Sequence, residues 1–330
     1  MKTDRILIVG AGSVGQAYGF HLQRAGSTVS FLVRERYKEA ASSGFAVHCL
    51  NGREKGHYTF VPDGVCTSLS EDHDYTQIWL AVSSTALQGS WLKLLLQKRG
   101  EASVVMLQPG LNDAALVGRY VPPEALTRGL IALISFHTPL PGEAGEKGMA
   151  WMFPPFSPSS FSGPQSQSVV RRLKSGGCPA TSVRDVSVKS KHGGAVMMPI
   201  IAVLSCCDWS FERLLIHTSL RHAVAASHEA IRVIRTGWTS HVVTLFVNTW
   251  SLSIALRVAP YFVPFHLEKM LQSHFTKVGD QTLAIIKEYL VRADRQHLQV
   301  PALKRLYRQL KQEDKTSLHG HKKDSTTRSH

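Results

Sequence analysis

Three glycines near the start of the chain have the spacing of a phosphate-binding turn. The motif Gly10-Ala11-Gly12-Ser13-Val14-Gly15 fits the pattern G-x-G-x-x-G. In that pattern the first glycine permits a tight turn, the second lets the backbone approach a pyrophosphate, and the third lets a helix pack closely on a strand. Backbone N–H groups at the start of such a helix bind phosphate oxygens. We therefore predict a dinucleotide site formed by Gly10, Gly12, Ser13, Val14 and Gly15.

A basic cluster after the next apolar run bears on the choice of dinucleotide. The sequence there reads Leu32-Val33-Arg34-Glu35-Arg36-Tyr37-Lys38. NAD-binding proteins place a carboxylate at this point to hold the ribose 2′-hydroxyl, whereas NADP-binding proteins place a cation there. The Arg34 guanidinium suits a 2′-phosphate, and Glu35 should point to the opposite face if the strand continues that far. The cluster favours NADP(H), with a solvated basic loop as the alternative.

The elements around the motif predict an α/β fold. Short apolar runs alternate with helical segments through about residue 186, which is typical of a Rossmann doubly wound domain. After about residue 190 the segments are longer and mainly helical. We predict a Rossmann-like domain over residues 1–186, an all-helical domain over 187–312 and a disordered basic tail over 313–330. The predicted strands are 5–9, 28–33, 77–82, 104–107 and 129–135, and the predicted helices are 16–25, 85–97, 196–206, 211–235, 242–258, 267–293 and 302–312.

Composition narrows the class of protein. The chain has 330 residues, 43% of them hydrophobic, and a formal net charge of +14. That hydrophobic content excludes a chain that is disordered throughout. Five cysteines without a C-x-x-C pair exclude a disulfide scaffold, a zinc ribbon and a thioredoxin-like site. No Walker A, H-E-x-x-H or G-x-S-x-G motif occurs. The positive charge indicates a solvated basic surface, and we predict no nucleic-acid partner.

Two further features concern membranes and location. The longest apolar stretch, residues 242–263, contains Asn248, Arg257 and several hydroxyls, so we interpret it as one or two buried helices and predict no membrane span. The first apolar run is too short for a signal peptide, which favours the cytoplasm.

The motifs together resemble the ketopantoate reductase (2-dehydropantoate 2-reductase) family. The resemblance covers the glycine turn, Arg34 after the second strand, the small polar turn at 81–85, the segment Gln108-Pro109-Gly110-Leu111 and a closing Leu298-Gln-Val-Pro301. It implies a Rossmann domain and a helical domain with NADPH and substrate in the cleft between them. It also implies hydride transfer to the ketone of a 2-keto acid. The positions that it places beside the cofactor include Val82, Ser83, Gln108 and Pro109.

The chain departs from the family pattern where that family's catalysis is expected. The family has a lysine after the third predicted strand, where this chain has serine at about position 83 (Ser83). The family also has an Asn-Gly pair after the next strand, where this chain has Pro109-Gly110. No lysine opens the second domain at 193–199, and Gln281 stands where the family has a glutamate. We predict an NADP-dependent oxidoreductase acting on an unidentified small carbonyl or hydroxy substrate. The alternatives are an NADPH-binding pseudoenzyme or sensor and an interaction protein with an inherited fold.

Three side chains are candidates for proton transfer. His137 follows the last predicted strand, and Lys191 and His192 lie in the predicted linker, where each has a structural or solvated role as the alternative. His319 and His321 form a His-x-His pair in the basic tail that we interpret as passive, so no metal site is predicted. A homodimer is a candidate assembly.

Overall fold

The computed structural model describes residues 4–235, 237–277 and 279–312. Two compact units are present, Met1–Ser190 and Lys191–His330. The first contains all the strands described, and the second is helical. The predicted fold class, a Rossmann-like α/β domain followed by a helical domain, is confirmed. The predicted tail, 313–330, lies outside the described residues.

The elements are numbered in chain order. The strands are β1 Arg5–Val9, β2 Thr28–Leu32, β3 Phe45–Cys49, β4 Gly56–Phe60, β5 Gly64–Cys66, β6 Gln77–Leu80, β7 Ser103–Met106, β8 Leu126–Leu130, β9 Ile134–Thr138, β10 Gly148–Met152, β11 Ser159–Ser162 and β12 Ala180–Ser182. The helices are α1 Ser13–Arg24, α2 Lys38–Ser42, α3 Trp91–Gln97, α4 Asp113–Val117, α5 Ser166–Ser175, α6 Val186–Ser205, α7 Phe211–Leu214, α8 His217–Ile234, α9 Trp238–Phe246, α10 Thr249–Val258, α11 Leu267–Lys277 and α12 Gly279–Arg295. Residues 301–312 are also helical.

An eight-stranded sheet organises the first unit, in the order β12-β11-β8-β7-β6-β1-β2-β5. The six strands from β8 to β5 are parallel. Alternate residues of β1 point to opposite faces, as a strand requires. Leu7 and Val9 pack in a cluster with α3 and α4, whereas Ile6 and Ile8 pack in a cluster with α1 and α5. Both faces are therefore covered, which explains the continuous apolar run of β1.

A second sheet, in the order β4-β3-β10-β9, was not predicted. It shares a cluster with α1, in which Phe20 and Leu22 meet Val47, Met149 and Trp151. Helix α1 is therefore buried between the two sheets. The predicted single strand 129–135 is wrong, because the chain leaves the first sheet after β8 and enters the second sheet at β9. A continuous apolar run does not reveal which sheet each part joins.

His21 fastens α1 at its last turn. The ring Nδ1 donates to the carbonyl oxygen of Gly176 (2.7 Å), and the ring Nε2 accepts from Trp151 Nε1 (3.1 Å). Burial lowers the pKa of His21 to about 4, so the imidazole is neutral near pH 7. The helix is thus tied both to β10 and to the segment that follows α5.

Several predicted helix bounds in the second unit are wrong. Helix α6 begins at Val186, ten residues before the predicted start at 196, and it contains Pro199. The predicted boundary after residue 186 thus falls at the first residue of this helix. The predicted helical segments 211–235 and 267–293 are each divided in two, as α7 and α8 and as α11 and α12, and the stretch predicted to form one or two helices contains parts of both α9 and α10. In the first unit the predicted helix 85–97 is likewise reduced to α3 and a preceding 3₁₀ turn.

The apolar stretch 242–263 forms helices, but the expectation that they are buried is wrong. No described residue of α9 is buried, and Leu256 alone is buried in α10. The side chains of Trp238, Leu245, Phe246 and Trp250 are 73–80% exposed. Among the described residues, no single helix combines the length and the apolar character that a membrane crossing needs. One consecutive pair, Trp238–Phe246 and Thr249–Phe262, meets that test jointly but is bent by 65°.

Candidate functional site

The glycine motif forms a turn at the carboxyl end of β1. Gly10 has a φ of +99°, which side chains disfavour, and its N–H donates to the carbonyl oxygen of Leu32 at 3.0 Å. A Cβ on Gly15 would collide with the carbonyl oxygen of Gly10. The motif therefore needs glycine at both positions, so that α1 can start directly beneath the turn.

Gly12 lies on the open side of this turn. A Cβ placed there would have no other atom within 4 Å. Gly12 precedes α1, whose first turn holds no acidic residue and receives no side-chain cap at Gly12. Gln16 supports the turn by donating its Nε2 to the carbonyl oxygen of Ala11 at 2.8 Å. The first N–H groups of α1 therefore face a space suited to an anion.

Arg34 follows β2, the strand beside β1. Its side chain is exposed and has no ion pair among the residues that the structure describes. Strand β2 ends at Leu32, and Glu35–Tyr37 forms a short 3₁₀ turn, so the prediction that Glu35 lies opposite Arg34 along a strand does not apply. The Arg36 guanidinium lies on the Tyr37 ring, 4.7 Å from its centroid. Arg34 is thus left available for an anionic group.

Gln108 joins the loops that follow β6 and β7. Its Nε2 donates to the carbonyl oxygens of Leu80 (2.8 Å) and Val82 (2.9 Å), and its Oε1 accepts from the Leu107 N–H (3.1 Å). A Cβ on Gly10 would lie 2.9 Å from Val82 Cγ1. The predicted residues Gly10, Val82 and Gln108 are therefore brought together at one edge of the sheet. Both amide hydrogens of Gln108 are engaged within the domain, so its side chain positions the loops.

A buried carboxyl that the sequence analysis missed lies beside these loops. Asp113 Oδ2 accepts from the Ser84 hydroxyl (2.6 Å) and from the Gly110 N–H (2.7 Å). Burial raises the pKa of Asp113, and these two hydrogen bonds oppose the rise. The signal for this residue is an aspartate in the first turn of a helix after Pro109-Gly110. Asp113 fixes the two loops to one another.

The remaining predicted cofactor residues lie in the same loops. Ser83 is half-buried, and its hydroxyl lies 3.0 Å from the Thr85 hydroxyl and 3.3 Å from the Ala86 N–H. Pro109 is exposed. Ser13 and Val14 begin α1 next to Gly12. Asn112, which was also missed, is an exposed amide at the start of α4, in the turn where the family resemblance expects Asn-Gly.

The three candidates for proton transfer are on other elements of the chain. His137 is exposed on β9 of the second sheet, so it is not on the strands whose ends carry the glycine turn. Lys191 and His192 lie on α6 rather than in a linker, which corrects the prediction. His192 is buried with its Nε2 3.2 Å from the Ser240 hydroxyl, and Lys191 is half-buried. On the same helix, a Cβ at Gly193 would have no other atom within 4 Å.

A family model agrees with this arrangement. Residues 6–152 match the model described as Ketopantoate reductase PanE/ApbA. These residues, somewhat less than half of the chain, are thus similar to the ketopantoate reductase family. The predicted resemblance is thereby confirmed. The match ends at Met152, the last residue of β10, so it includes the glycine turn, Arg34 and most of both sheets.

A curated relative matches part of the same region. The chain is 31% identical over 121 residues to the 2-dehydropantoate 2-reductase of Archaeoglobus fulgidus. The match covers 36% of this chain and 37% of that relative, so it spans well under half of the relative's length.

Solved structures show the fold over nearly the whole chain. A PanE/ApbA family ketopantoate reductase from Ralstonia eutropha has a TM-score of 0.71 at 16% identity, over 95% of this chain and 99% of that one. A ternary structure of D-mandelate dehydrogenase with NADH and anilino(oxo)acetate has a TM-score of 0.70 at 14% identity, over 94% and 98% of the two chains. At these identities the similarity establishes the fold alone.

Proposed function

We propose that this chain is an NADP-dependent oxidoreductase acting on a small carbonyl or hydroxy compound other than ketopantoate. The observation that carries the proposal is the open turn at Gly12. It lies before a helix whose first N–H groups have no side-chain cap from Gly12, at the carboxyl edge of a parallel sheet. Doubly wound folds bind dinucleotides at that edge. The family match and the NADH-bound D-mandelate dehydrogenase structure support the same class of cofactor.

The residues present fit a nicotinamide dinucleotide. The backbone of Gly12, Ser13 and Val14 would hold the pyrophosphate, because a Cβ at Gly12 would enter the space that a phosphate needs. The loops at Val82, Ser83 and Pro109 would line the nicotinamide end. When bound, the cofactor supplies or accepts a hydride. The chain orients it through the turn and through loops that Gln108 and Asp113 hold in place.

Arg34 supports NADP over NAD. An exposed guanidinium without an ion pair in the described chain can bind a phosphate through two parallel hydrogen bonds. A 2′-hydroxyl would instead call for a carboxylate after β2. Glu35 is the one acidic residue of the 3₁₀ turn, so NAD, as in the D-mandelate dehydrogenase complex, is the competing choice.

The substrate is proposed to differ from ketopantoate because the side chains that the family resemblance expects for catalysis and substrate binding are replaced. Reduction of a ketone needs a proton donor and a group that stabilises negative charge on the oxygen. Ser83, Pro109 and Gln281 stand where the family resemblance expects lysine, asparagine and glutamate. Gly193 and Gly194 occupy α6 near the expected catalytic lysine, and glycine offers neither a proton nor a charge.

A sensor that binds NADPH without turnover is the second candidate. The polar side chains at the sheet edge are occupied within the domain: Gln108 holds two carbonyls, and Ser84 donates to Asp113. Such bonds stabilise the loops but leave those groups less free to act on a substrate. These contacts support a site that binds the cofactor but does not catalyse a reaction.

Cofactor titration followed by a turnover screen separates these possibilities. The purified chain is titrated with NADPH and NADH by fluorescence and then assayed for NADPH oxidation with a panel of 2-keto acids and aldehydes. We expect tighter binding of NADPH than of NADH and turnover with a carbonyl compound other than ketopantoate. Binding without turnover of any compound supports the sensor, and absence of binding by both cofactors contradicts both candidates.

A further inference from the structure

A second cluster of potential ligands lies on the second sheet, outside the proposed cofactor site. His48 on β3 and His57 on β4 are direct cross-strand partners. Glu146 lies in the connection between β9 and β10. One potential ligand atom from each of these three side chains lies within 4.8 Å of the other two. Two strands and a loop distant in sequence therefore converge on one point.

The two imidazoles face each other through their Nδ1 atoms. These atoms are 2.5 Å apart, and the rings are tilted by 68° with centroids 4.5 Å apart. Two nitrogen lone pairs at such a distance repel unless a proton or a cation lies between them. Zinc binds imidazole nitrogen at about 2.0–2.1 Å, which puts two tetrahedral ligands about 3.3 Å apart. An increase of less than about 1 Å in the distance between the two Nδ1 atoms would therefore admit the ion.

The setting of His48 directs one ring nitrogen into the cluster. Its side chain is 4% exposed, and its Nε2 has no hydrogen-bond partner among the described residues. That atom packs against Gly148, where a Cβ would lie 2.7 Å away. His57 and Glu146 are exposed. The cluster thus combines one fixed imidazole with two ligands that solvent reaches, which provides a path of entry for an ion.

We propose that His48, His57 and Glu146 bind a divalent transition-metal ion of the zinc class. Two imidazoles and a carboxylate suit zinc, whereas calcium and magnesium prefer sets composed of oxygen. Three protein ligands leave one position of a tetrahedral ion for water. The ion would join the β3–β4 hairpin to the connection before β10. This assignment replaces the sequence-based expectation that the chain has no metal site.

The His-x-His pair of the tail is a second possible source of metal binding. His319 and His321 lie outside the described residues. A full-length chain carrying His319→Ala and His321→Ala removes their contribution without touching the second sheet. Every titration uses this double variant as the parent, so that His319 and His321 do not contribute to the metal that is bound.

Calorimetric titration with zinc chloride tests the assignment. We expect one ion per chain, and at least about tenfold weaker binding in His57→Ala and in Glu146→Gln, since even the outer-shell partners of metal ligands change affinity by 10–100-fold. Two matched controls should bind as the parent does: His217→Ala, an exposed histidine on α8, and Glu143→Gln, an exposed glutamate in the same β9–β10 connection.

Cobalt(II) provides an independent readout. A tetrahedral cobalt site gives strong visible absorption bands, which we expect in the parent and not in His57→Ala. Melting midpoints measured in a chelator check that every variant is folded. The assignment is overturned if the parent takes up no metal, or if uptake is unchanged in His57→Ala. Unchanged binding in Glu146→Gln would equally overturn the three-ligand set.

Discussion

Gly12 and Arg34 are proposed to contact different groups of the cofactor, the pyrophosphate and the 2′-phosphate. Gly12 would act through the side chain that it lacks, because its Cβ position is open and the residue immediately precedes α1. Arg34 acts through a charge that has no ion pair in the described parts of the chain. A substitution at the first should affect both dinucleotides, whereas a substitution at the second should affect the phosphorylated one.

Gly12→Asp should abolish binding of both NADPH and NADH. A carboxylate about 4 Å from a phosphate costs roughly 4 kcal/mol at an effective dielectric constant of about 20, which corresponds to more than a hundredfold in affinity. The open space around the Cβ position means that the variant should fold. Fluorescence titration measures the loss, and Gly12→Ala separates the effect of charge from that of size. Unchanged NADPH affinity in folded Gly12→Asp would remove the proposed site.

Arg34→Ala should weaken NADPH binding by roughly 1–3 kcal/mol, the cost of losing a hydrogen bond to a charged group. NADH, which lacks the 2′-phosphate, should lose much less. Arg36→Ala is the matched control, because that guanidinium lies on the Tyr37 ring. The same titration measures all three proteins. Equal losses for the two dinucleotides would show that Arg34 does not contact the 2′-phosphate.

At the scale of elements, α1 is held by both sheets and by a buried histidine. Phe20 and Leu22 pack in the cluster that includes the second sheet, and His21 bonds to Gly176 and Trp151. The helix that starts the proposed cofactor site is therefore fixed from its far end. Loss of the His21 contacts should destabilise the whole first unit, because both sheets pack on that helix.

The lowered pKa of His21 predicts that the folded chain loses stability in acid. Its pKa is about 4 in the folded chain and 6.5 in an unperturbed histidine, so the unfolded chain binds more protons between these values. The free energy of unfolding then falls as the pH drops below about 6.5, by roughly 2 kcal/mol between pH 7.5 and pH 5. Urea denaturation at the two pH values measures this fall. His21→Gln cannot gain the proton, so it should show a smaller fall, whereas an equal fall would exclude His21 as the cause.

The sequence predicts a strand best when both of its faces are buried and a clear turn signal ends it. Strand β1 was predicted at 5–9 and is observed at Arg5–Val9, because both of its faces are buried and the glycine turn ends it. The second sheet was missed because β3 and β4 are partly polar and because β3 pairs with β10, which comes much later in the chain. The burial of α9 was predicted wrongly because apolar composition does not distinguish a core helix from an exposed one.

The candidate site likewise contains features that the local sequence predicts and features that depend on contacts between distant segments. The glycine turn was predictable because its function depends on local backbone conformation. The bonds of Gln108 and Asp113 depend on loops from different strands meeting, and the His48–His57 pair depends on the register of a hairpin. Asn51-Gly52 between the two histidines is a hairpin signal, but the register follows only from the complete sheet.

For the whole molecule, NADPH binding and ketopantoate turnover should be separable. The glycine turn and Arg34 lie apart in sequence from Ser83, Pro109 and Gln281. Removing one stabilising donor costs about 3 kcal/mol, or roughly a hundredfold in rate, although such losses are not additive. We expect NADPH fluorescence to change on binding and NADPH absorbance to remain constant when ketopantoate is added. Ketopantoate-dependent oxidation that Lys191→Ala abolishes would instead identify Lys191 as a displaced catalytic lysine.

A homodimer is the assembly that we propose for the whole molecule. Exposed aromatic side chains on α9 and α10, Trp238 and Trp250 among them, are typical of an interaction surface, and closed pairs are the commonest oligomers. We expect the chain to sediment as a dimer and Trp250→Glu to sediment as a monomer. Leu94→Glu, an exposed apolar position on α3, is the control and should remain dimeric. A monomeric parent chain would contradict the prediction.

The pairing of β3 with β10 also has a consequence for synthesis of the chain. Asn51 and Phe153, which join the ends of these two strands, are 102 residues apart. At about 5–20 residues per second, a ribosome makes β10 roughly 5–20 seconds after β3. During that interval the β3–β4 hairpin has an unpaired edge, and the apolar side chains of Val47 and Phe60 lack part of their cover. We therefore expect the nascent chain to be prone to aggregation, and to benefit from a chaperone, while residues 61–147 are being added.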